Sequence, residues 1–414
     1  MTRSVRFWNS GPVRVLRSTG VGADDYEIIA IGEGIDRDLV RPARLAADGR
    51  DGSARRPRVT TRVAPMDGTP ASTRLDRRGV GGGVIAVLVL LVLVYIGSEG
   101  LRWFDAALAP YLFGTLLAVF ATVYRYTVWL RRPPTARLNR RGWEALRAKG
   151  RLGSNLLALG GMLVTNLALQ RFIAPRSRTR WVAHQLLFWG CVLAALVTFP
   201  LTFGWVHFES ADPSGRTYRA YLGPLATVTF DSRSVLGWLV FHLLNIAAIL
   251  VIAGVAIFLA RRLRDRGALA VERAGDFAAL AGLFAVSLTG LMLTASSMWM
   301  EGRFYSFLNT LHALTVVLGL LYIPFGKLFH ILQRPANLGV AFYKQAGAES
   351  GPQVCIECGD EYASKLQMDD LKEVLPQVGF DYSTADGRNY QDVCPRCRRR
   401  LVGLAQTDRV GGFG

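Results

Sequence analysis

The segment LHALTVVLGLLYIPFGKLFH (residues 311–330) decides the class of this protein, because it is almost entirely apolar and yet carries a histidine near or at each end. About 20 apolar residues are enough to cross a lipid bilayer as an α-helix. His312 and His330 are eighteen residues apart, which corresponds to five helical turns and a rise of about 27 Å. The segment is therefore predicted to be a transmembrane helix that presents two imidazoles on one face, near opposite membrane surfaces.

Five more apolar segments of similar length accompany it in a chain of 414 residues that is 51% hydrophobic. A net charge of +18 would also suit a nucleic-acid binder. Six membrane-length segments instead favour a polytopic, all-α membrane protein that contacts the lipid bilayer and has no nucleic-acid partner. The predicted spans are residues 79–98, 106–130, 181–206, 234–260, 277–299 and 307–332.

Basic residues are concentrated in alternate connections between these spans. Residues 131–180 contain twelve Lys or Arg and one acidic residue, Glu144, and residues 261–275 contain five Arg. Short basic connections stay in the cytoplasm, so both termini are predicted to be cytoplasmic in a multi-pass protein of the cell membrane. The apolar stretch at residues 155–172 is predicted to be an interfacial or packed helix, because it is too short for a seventh span.

Composition divides the chain into three regions. Residues 1–78 are polar and Arg-rich and are predicted to be a basic, flexible extension; translation from Met66 is an alternative that the intact mass would test. Residues 79–333 form the transmembrane domain. Residues 334–414 form a small tail, cytoplasmic by the charge argument, whose cysteines indicate a metal site.

The alternation of the spans assigns a depth to each histidine. The third span runs outwards and places His184 near the cytoplasm, whereas the fourth runs inwards and places His242 near the outside. The sixth span also runs inwards, so His312 is outer and His330 is inner. Matching by depth predicts two pairs, His184 with His330 and His242 with His312. Neutral imidazole is a standard axial ligand of haem iron and bundle cores often hold such cofactors, so a four-helix bundle with two haem b groups is predicted.

Alternatives remain open for several of these residues. A single intramembrane histidine can be a hydrogen-bonded core residue or a proton relay, but four histidines matched by depth favour haem ligation. His207, in GWVHFES (residues 204–210), is expected to lie in a solvated loop and is the alternative to His242 as a ligand. Arg180 and Lys327 are predicted at the inner depth, where they either pair with haem propionates or extend their charges to the membrane surface.

Three stretches carry a family resemblance. They are PYLFGTLLAVFATVYRY (residues 110–126), GVAIFLARRLRDRGALAVERAGDFAALAGLFAVSLTGLMLTAS (residues 254–296) and the segment at residues 311–330. Together they resemble the gamma subunit of respiratory nitrate reductases, a dihaem cytochrome b with relatives in heterodisulfide-reductase-type and sulfite-reduction-linked membrane complexes. The shared features are an Arg-rich turn, an Asp that opens the next helix, a TGL ending and two histidines with seventeen residues between them. The resemblance covers about residues 107–345.

The resemblance also assigns roles to residues. His312 and His330 match the two ligands on the family's last helix, and His184 matches the inner ligand on an earlier helix. Where the family has a second histidine ten residues after that ligand, this chain has Ala194, so His242 on the next helix would replace it. The resemblance implies electron transfer between a membrane quinone and a cytoplasmic partner that carries a molybdopterin or iron–sulfur cofactor.

The tail contains two CxxC pairs, in CIECGDEY (residues 355–362) and CPRCR (residues 394–398). Four thiolates suit a tetrahedral Zn²⁺ or a single iron, and a cytoplasmic location disfavours disulfides. The gap between the pairs exceeds that of a zinc ribbon, so DLKEVLPQVGF (residues 370–380) is predicted to fold between them. The pattern is similar to that of rubredoxin but lacks a glycine in the second pair; zinc is preferred and iron is the alternative. The predicted ligands are Cys355, Cys358, Cys394 and Cys397.

The predicted function is quinone-linked electron transfer for a respiratory oxidoreductase, with quinone or quinol as substrate and no further substrate chemistry in this chain. The rival predictions are a polytopic transporter and a haem-free membrane anchor subunit. Against a transporter, the sequence shows no paired intramembrane carboxylates and no clear internal repeat. A haem spectrum separates both rivals from the electron-transfer prediction.

Overall fold

The computed structural model of the chain describes residues 75–264, 274–383 and 387–410. Nearly all of the N-terminal extension, including the alternative start at Met66, lies outside the described residues. Six described helices are long and apolar enough to cross a membrane, which confirms the prediction of a multi-pass helical protein. They are α1 (Arg77–Gly97), α2 (Ala109–Arg131), α5 (Arg178–Thr202), α6 (Val235–Arg264), α7 (Ala274–Trp299) and α8 (Tyr305–Phe325).

These six helices pack in the order α5, α6, α7, α8, α2, α1, each against the next. Helices α5 and α6 approach most closely because glycines lie at their contact. A Cβ atom at Gly190 would lie 2.9 Å from the Ala247 carbonyl oxygen, and one at Gly254 would lie 3.0 Å from the Ala183 carbonyl oxygen. Helix α8 packs on α7 and α2 and not closely on α5. The helices that carry His184 and His312 therefore do not pack closely on each other.

Helix α8 ends earlier than predicted. It stops at Phe325, directly after Pro324, because Gly326 adopts an extended conformation (φ −96°, ψ −167°). A 3₁₀ turn at Lys327–Phe329 then leads into a separate helix, α9 (His330–Asn337). The prediction of one continuous span through this region is wrong, and so is the argument that regular turns align its two histidines on one face.

Arg125 of α2 stabilises this helix break. Its guanidinium donates to the Pro324 carbonyl oxygen and lies 4.3 Å from the centre of the Phe329 ring. In an uninterrupted helix that carbonyl would accept a hydrogen bond from the following turn. A cation therefore satisfies an acceptor at a helix C-terminus, where the helix dipole also favours positive charge.

The connection between α5 and α6 is a three-stranded antiparallel sheet in the order β1–β2–β3, which the all-α prediction missed. The strands are β1 (Val206–Ser210), β2 (Thr217–Leu222) and β3 (Leu225–Asp231). Asp212 organises the turn between the first two strands, since its carboxylate accepts hydrogen bonds from the Ser214 hydroxyl at 2.8 Å and from the Arg216 and Thr217 backbone N–H groups at 3.2 Å each. We call this side of the helices the sheet end.

The opposite side, which we call the basic end, carries the Arg-rich ends of α2 and α6 and all the remaining elements. The apolar stretch at residues 155–172 is helical but shorter than the six spans, as predicted. In chain order the elements are α3 (Pro133–Leu146), α4 (Leu152–Met162) continuing as a π-helix (Leu163–Ala168), α10 (Gly339–Glu349), β4 (Pro352–Val354), β5 (Glu361–Ser364), α11 (Lys365–Gln377) and α12 (Pro395–Val410).

The tail is packed on α3. Helix α10 lies along α3, and the carboxylate of Asp370 in α11 pairs with Arg137 Nε at 2.6 Å and with Arg141 Nη2 at 3.3 Å. Asp370 is only 4% exposed. A buried carboxylate is tolerated only when it is paired, so these two ion pairs hold the tail in a defined position on the basic end.

Candidate functional site

His184 and His330 line one cavity at the basic end, which we call the histidine cavity. His184 lies on the first two turns of α5 and packs edge-to-face against Phe258 at 4.9 Å. His330 is the first residue of α9, so the break after α8 is what turns it towards this cavity. The structure thus brings the predicted inner pair together, although by a different route from a continuous helix.

The other walls of the histidine cavity were not predicted from the sequence. They include Asn166 in the π-helix, Gln170 and Arg334. Gln170 adopts a left-handed backbone conformation (φ 47°), and its buried Oε1 atom has no hydrogen-bond partner among the described residues. Single π-helical turns are frequent at functional sites, and a buried amide oxygen without a partner is costly. Both features are typical of functional sites.

Charge is also concentrated around His184. Arg180 lies one turn before His184 on α5. It interacts electrostatically with the His184 ring, as do His330 and Arg334. Lys327 opens the 3₁₀ turn that precedes His330. Neither Arg180 nor Lys327 lines the histidine cavity, so their predicted pairing with haem propionates remains a prediction.

His312 lies between α7 and α8. Its Nδ1 atom is 2.9 Å from the Thr289 hydroxyl, and its ring edge faces Gly290, where a Cβ atom would lie 3.4 Å from it. His242 is the eighth residue of α6 and His312 is the eighth residue of α8. The two imidazoles are therefore equally far along their helices from the sheet end, and the two helices both pack on α7 and not closely on each other.

Three of the four predicted haem ligands use the same ring nitrogen for a protein contact. Nδ1 of His242 donates to the Trp238 carbonyl oxygen at 2.8 Å, Nδ1 of His330 donates to the Lys327 carbonyl oxygen, and Nδ1 of His312 contacts the Thr289 hydroxyl. This arrangement leaves each Nε2 atom with its lone pair, as in ligating histidines whose other nitrogen is hydrogen-bonded. The donor chemistry of these residues fits bis-imidazole haem.

His207 is not the solvated loop residue that the sequence predicted. It lies on β1, is 9% exposed, and stacks in parallel between Trp103 at 3.9 Å and Tyr221 at 5.0 Å. Its Nδ1 atom is buried without a hydrogen-bond partner among the described residues. Since His207 belongs to the sheet and His242 to a helix, the structure favours His242 as the residue at the depth of His312.

The four cysteines of the tail come together, which confirms that they can hold a metal ion. Their sulfur atoms all lie within 4.8 Å of one another, and those of Cys358 and Cys394 are 3.7 Å apart. Four thiolates at about 2.3 Å from a tetrahedral Zn²⁺ would be about 3.8 Å apart. Cys355, Cys394 and Cys397 are buried and Cys358 is exposed, so one edge of the metal site faces solvent.

Backbone N–H groups support the thiolates of both CxxC pairs. The Cys394 N–H donates to the Cys355 sulfur at 3.2 Å, and the Cys397 N–H donates to the Cys394 sulfur at 3.4 Å. Burial raises the pKa of Cys355. Hydrogen bonds from the backbone N–H groups of Cys394, Cys358 and Glu357 outweigh burial and bring that pKa to about 6. Cys355 is therefore prepared to bind metal as a thiolate.

The segment between the two pairs folds as predicted, with residues 370–377 forming the end of α11. One arginine after the second pair also has a structural role. Arg398 donates from Nε to the Val393 carbonyl oxygen at 2.6 Å and from Nη2 to the Gln391 carbonyl oxygen at 3.0 Å, and it stacks over Tyr390. These contacts tie the second cysteine pair to the short 3₁₀ turn Tyr390–Asp392 that precedes it.

Comparison with known proteins returned no matching protein-family model, no matching curated protein and no matching solved structure. The geometry defines a class of protein, a multi-pass helical membrane protein with four cysteines that can hold a metal ion.

Proposed function

We propose that this chain is the dihaem cytochrome b subunit of a quinone-linked respiratory oxidoreductase. The observation that carries the proposal is the histidine cavity, in which His184 of α5 and His330 of α9 meet at the basic end. The depth argument from the sequence predicts the same pair, and a chance arrangement of polar residues would not be expected to reproduce it.

The residues have distinct tasks in this proposal. Haem supplies one-electron chemistry when it is bound. His184 and His330 would hold the inner haem, and His242 and His312 the outer one, each through Nε2. The Trp238 and Lys327 carbonyl oxygens and the Thr289 hydroxyl keep the opposite nitrogen occupied. Apolar helix faces around the imidazoles would exclude water and so influence the haem potentials.

The quinone and the soluble partner rest on the family resemblance. Electrons would pass between the quinone pool at the sheet end and a cytoplasmic molybdopterin or iron–sulfur subunit at the basic end. The tail supports a partner on this side, because it presents a metal site with one exposed ligand, Cys358. Zinc would make the tail a structural docking module, whereas iron would make it a further redox centre.

A reduced-minus-oxidised absorption spectrum of the purified full chain, with haem and metal counted per chain, tests the proposal. Two b-type haems per chain are expected. A single haem per chain would be assigned to the His184 and His330 pair, and His242 would then no longer be proposed as a ligand. No haem, in a folded preparation made with adequate haem supply, would overturn the proposal and favour the transporter or the haem-free anchor.

A further inference from the structure

A second cavity borders the histidine cavity at the basic end, and we call it the anion cavity. Both cavities share Asn166, Leu167, Phe172 and Arg334, and the anion cavity adds Asn337 and Leu338 at the end of α9. Its polar lining consists of one guanidinium and two side-chain amides, with no carboxylate among the lining residues. Asn166, Arg334 and Asn337 are all exposed, so hydrogen-bond donors and positive charge converge at a site that is open to solvent and has no acid among its lining residues.

Arg334 is held in place without an acidic partner. Its guanidinium stacks on the Phe172 ring at 4.8 Å, and no carboxylate within the described part of the chain forms an ion pair with it. Such stacking covers one face of the guanidinium and leaves its N–H edge free to donate. That edge suits the two oxygens of a carboxylate or phosphate, which it can bind in a bidentate manner.

We propose that the anion cavity binds a carboxylate or phosphate group, with Arg334 as the charge partner and the amides of Asn166 and Asn337 as further donors. One source is a propionate of haem held by His184 and His330, and this source rests on the proposed function. The other source is the phosphate of an anionic lipid at the basic end, which does not depend on haem. If the group is a propionate, Arg334 takes the role that was predicted for Arg180 and Lys327.

The test uses the full chain in detergent and two variants. Arg334→Gln removes the charge, and Asn337→Asp places a negative charge in the cavity with almost no change in shape. Arg178→Gln is the matched control. Arg178 also lies at the basic end, where it begins α5, and it lines neither cavity. Circular dichroism and gel filtration check that each variant is folded.

Two measurements distinguish the two sources. The first is retention of phosphatidylglycerol against phosphatidylcholine, counted by native mass spectrometry after detergent exchange. If lipid phosphate is bound, both variants retain phosphatidylglycerol about tenfold less well than the wild type, as expected for a lost charge-assisted hydrogen bond. The second is a redox titration of the haems. If a propionate is bound, one haem midpoint moves to lower potential in both variants, because the negative carboxylate is no longer neutralised.

An unchanged lipid preference together with unchanged haem midpoints in both variants would overturn the anion-site proposal while leaving the dihaem proposal intact. A wild type that binds no haem would overturn the dihaem proposal, and the lipid measurement alone would then decide on the anion cavity. An equal change in the Arg178→Gln control would also count against it, because the effect would then be one of general surface charge.

Discussion

Thr289 of α7 and His312 of α8 are joined by a hydrogen bond of 2.9 Å between the hydroxyl and Nδ1. The same hydroxyl donates to the Ala285 carbonyl oxygen at 2.7 Å, so it must accept from the imidazole. His312 is therefore protonated at Nδ1, and its Nε2 atom is the one that can ligate a metal. Thr289 thus favours one tautomer of His312 and helps to orient its ring.

Replacement of Thr289 by valine should weaken the outer haem alone. Loss of a hydrogen bond behind a ligating histidine typically lowers metal affinity about tenfold or more, and a less basic imidazole should shift one haem midpoint to higher potential. Redox titration and haem content check this result. Thr310→Val is the matched control, because the Thr310 hydroxyl bonds only to the Ser306 carbonyl oxygen on the exposed side of α8. Equal effects of the two changes would contradict the assignment.

If the chain binds the two proposed haems, alanine substitutions of the proposed axial histidines should each remove one haem. His330→Ala is expected to eliminate the inner haem and retain the outer one, and His312→Ala is expected to do the reverse, because each change removes one of two axial ligands. Haem per chain and the number of midpoints in a redox titration provide the measurement. If neither change reduced the haem content of a folded chain, the pairing by depth would be wrong.

His207→Ala should affect stability and not haem. The substitution removes a ring stacked between Trp103 and Tyr221, and aromatic pairs contribute about 0.5–1.5 kcal/mol each beyond their buried area. We expect a loss of about 1–3 kcal/mol at the sheet end, seen as a lower unfolding temperature, with two haems retained. Loss of one haem in this variant would instead identify His207 as the ligand in place of His242.

Arg125→Leu, a change on α2, should disturb the position of His330 at the start of α9. The change removes the donor to the Pro324 carbonyl oxygen and the cation over the Phe329 ring. Hydrogen bonds to charged groups contribute about 1.5–3 kcal/mol, so we expect lower occupancy of the inner haem and lower stability. Arg125→Lys should retain part of both. An unchanged haem content and unfolding temperature in the leucine variant would show that the break after α8 needs no support from α2.

Cys394→Ser should release the metal of the tail. Its sulfur lies within the four-sulfur cluster and accepts the Cys397 N–H, and removal of one thiolate weakens both the metal site and the fold that depends on it. Elemental analysis and limited proteolysis of the tail give the measurement. Cys191→Ser is the control, because Cys191 lies on α5 outside the cluster. Full metal content in Cys394→Ser would argue against a four-thiolate site.

Local signals allowed much of this fold to be predicted from the sequence. Uninterrupted apolar length defines a membrane-spanning helix on its own, and two closely spaced cysteines define a knuckle whatever surrounds them. The six spans and the convergence of Cys355, Cys358, Cys394 and Cys397 were predicted for this reason. The sheet between α5 and α6 is not predicted, because its turn residues at 212–215 and the β-branched residues of β3 are local signals that a connection between two spans can also carry without pairing into strands.

The helix break and the cavity walls depend on tertiary contacts that no short stretch reveals. The proline and glycine around Pro324 are compatible with a helix end, and α5 likewise ends at Thr202, soon after Pro200. The short sequence does not reveal the contact of Arg125 on α2 with the Pro324 carbonyl oxygen. Likewise, Asn166 and Arg334 reach one cavity only because a π-helix and α9 meet there, which their separation of 168 residues conceals.

The buried pairing of Asp370 with Arg137 and Arg141 determines the geometry of any encounter at the tail. Because a buried ion pair holds the tail against α3, the tail cannot change its position to meet a partner as a flexible linker could. A protein that recognises the cysteine knuckles must therefore arrive in a single orientation relative to the membrane plane. Its contact surface would have to match α3 and α10 as well as the knuckles, so this face should tolerate few changes in shape.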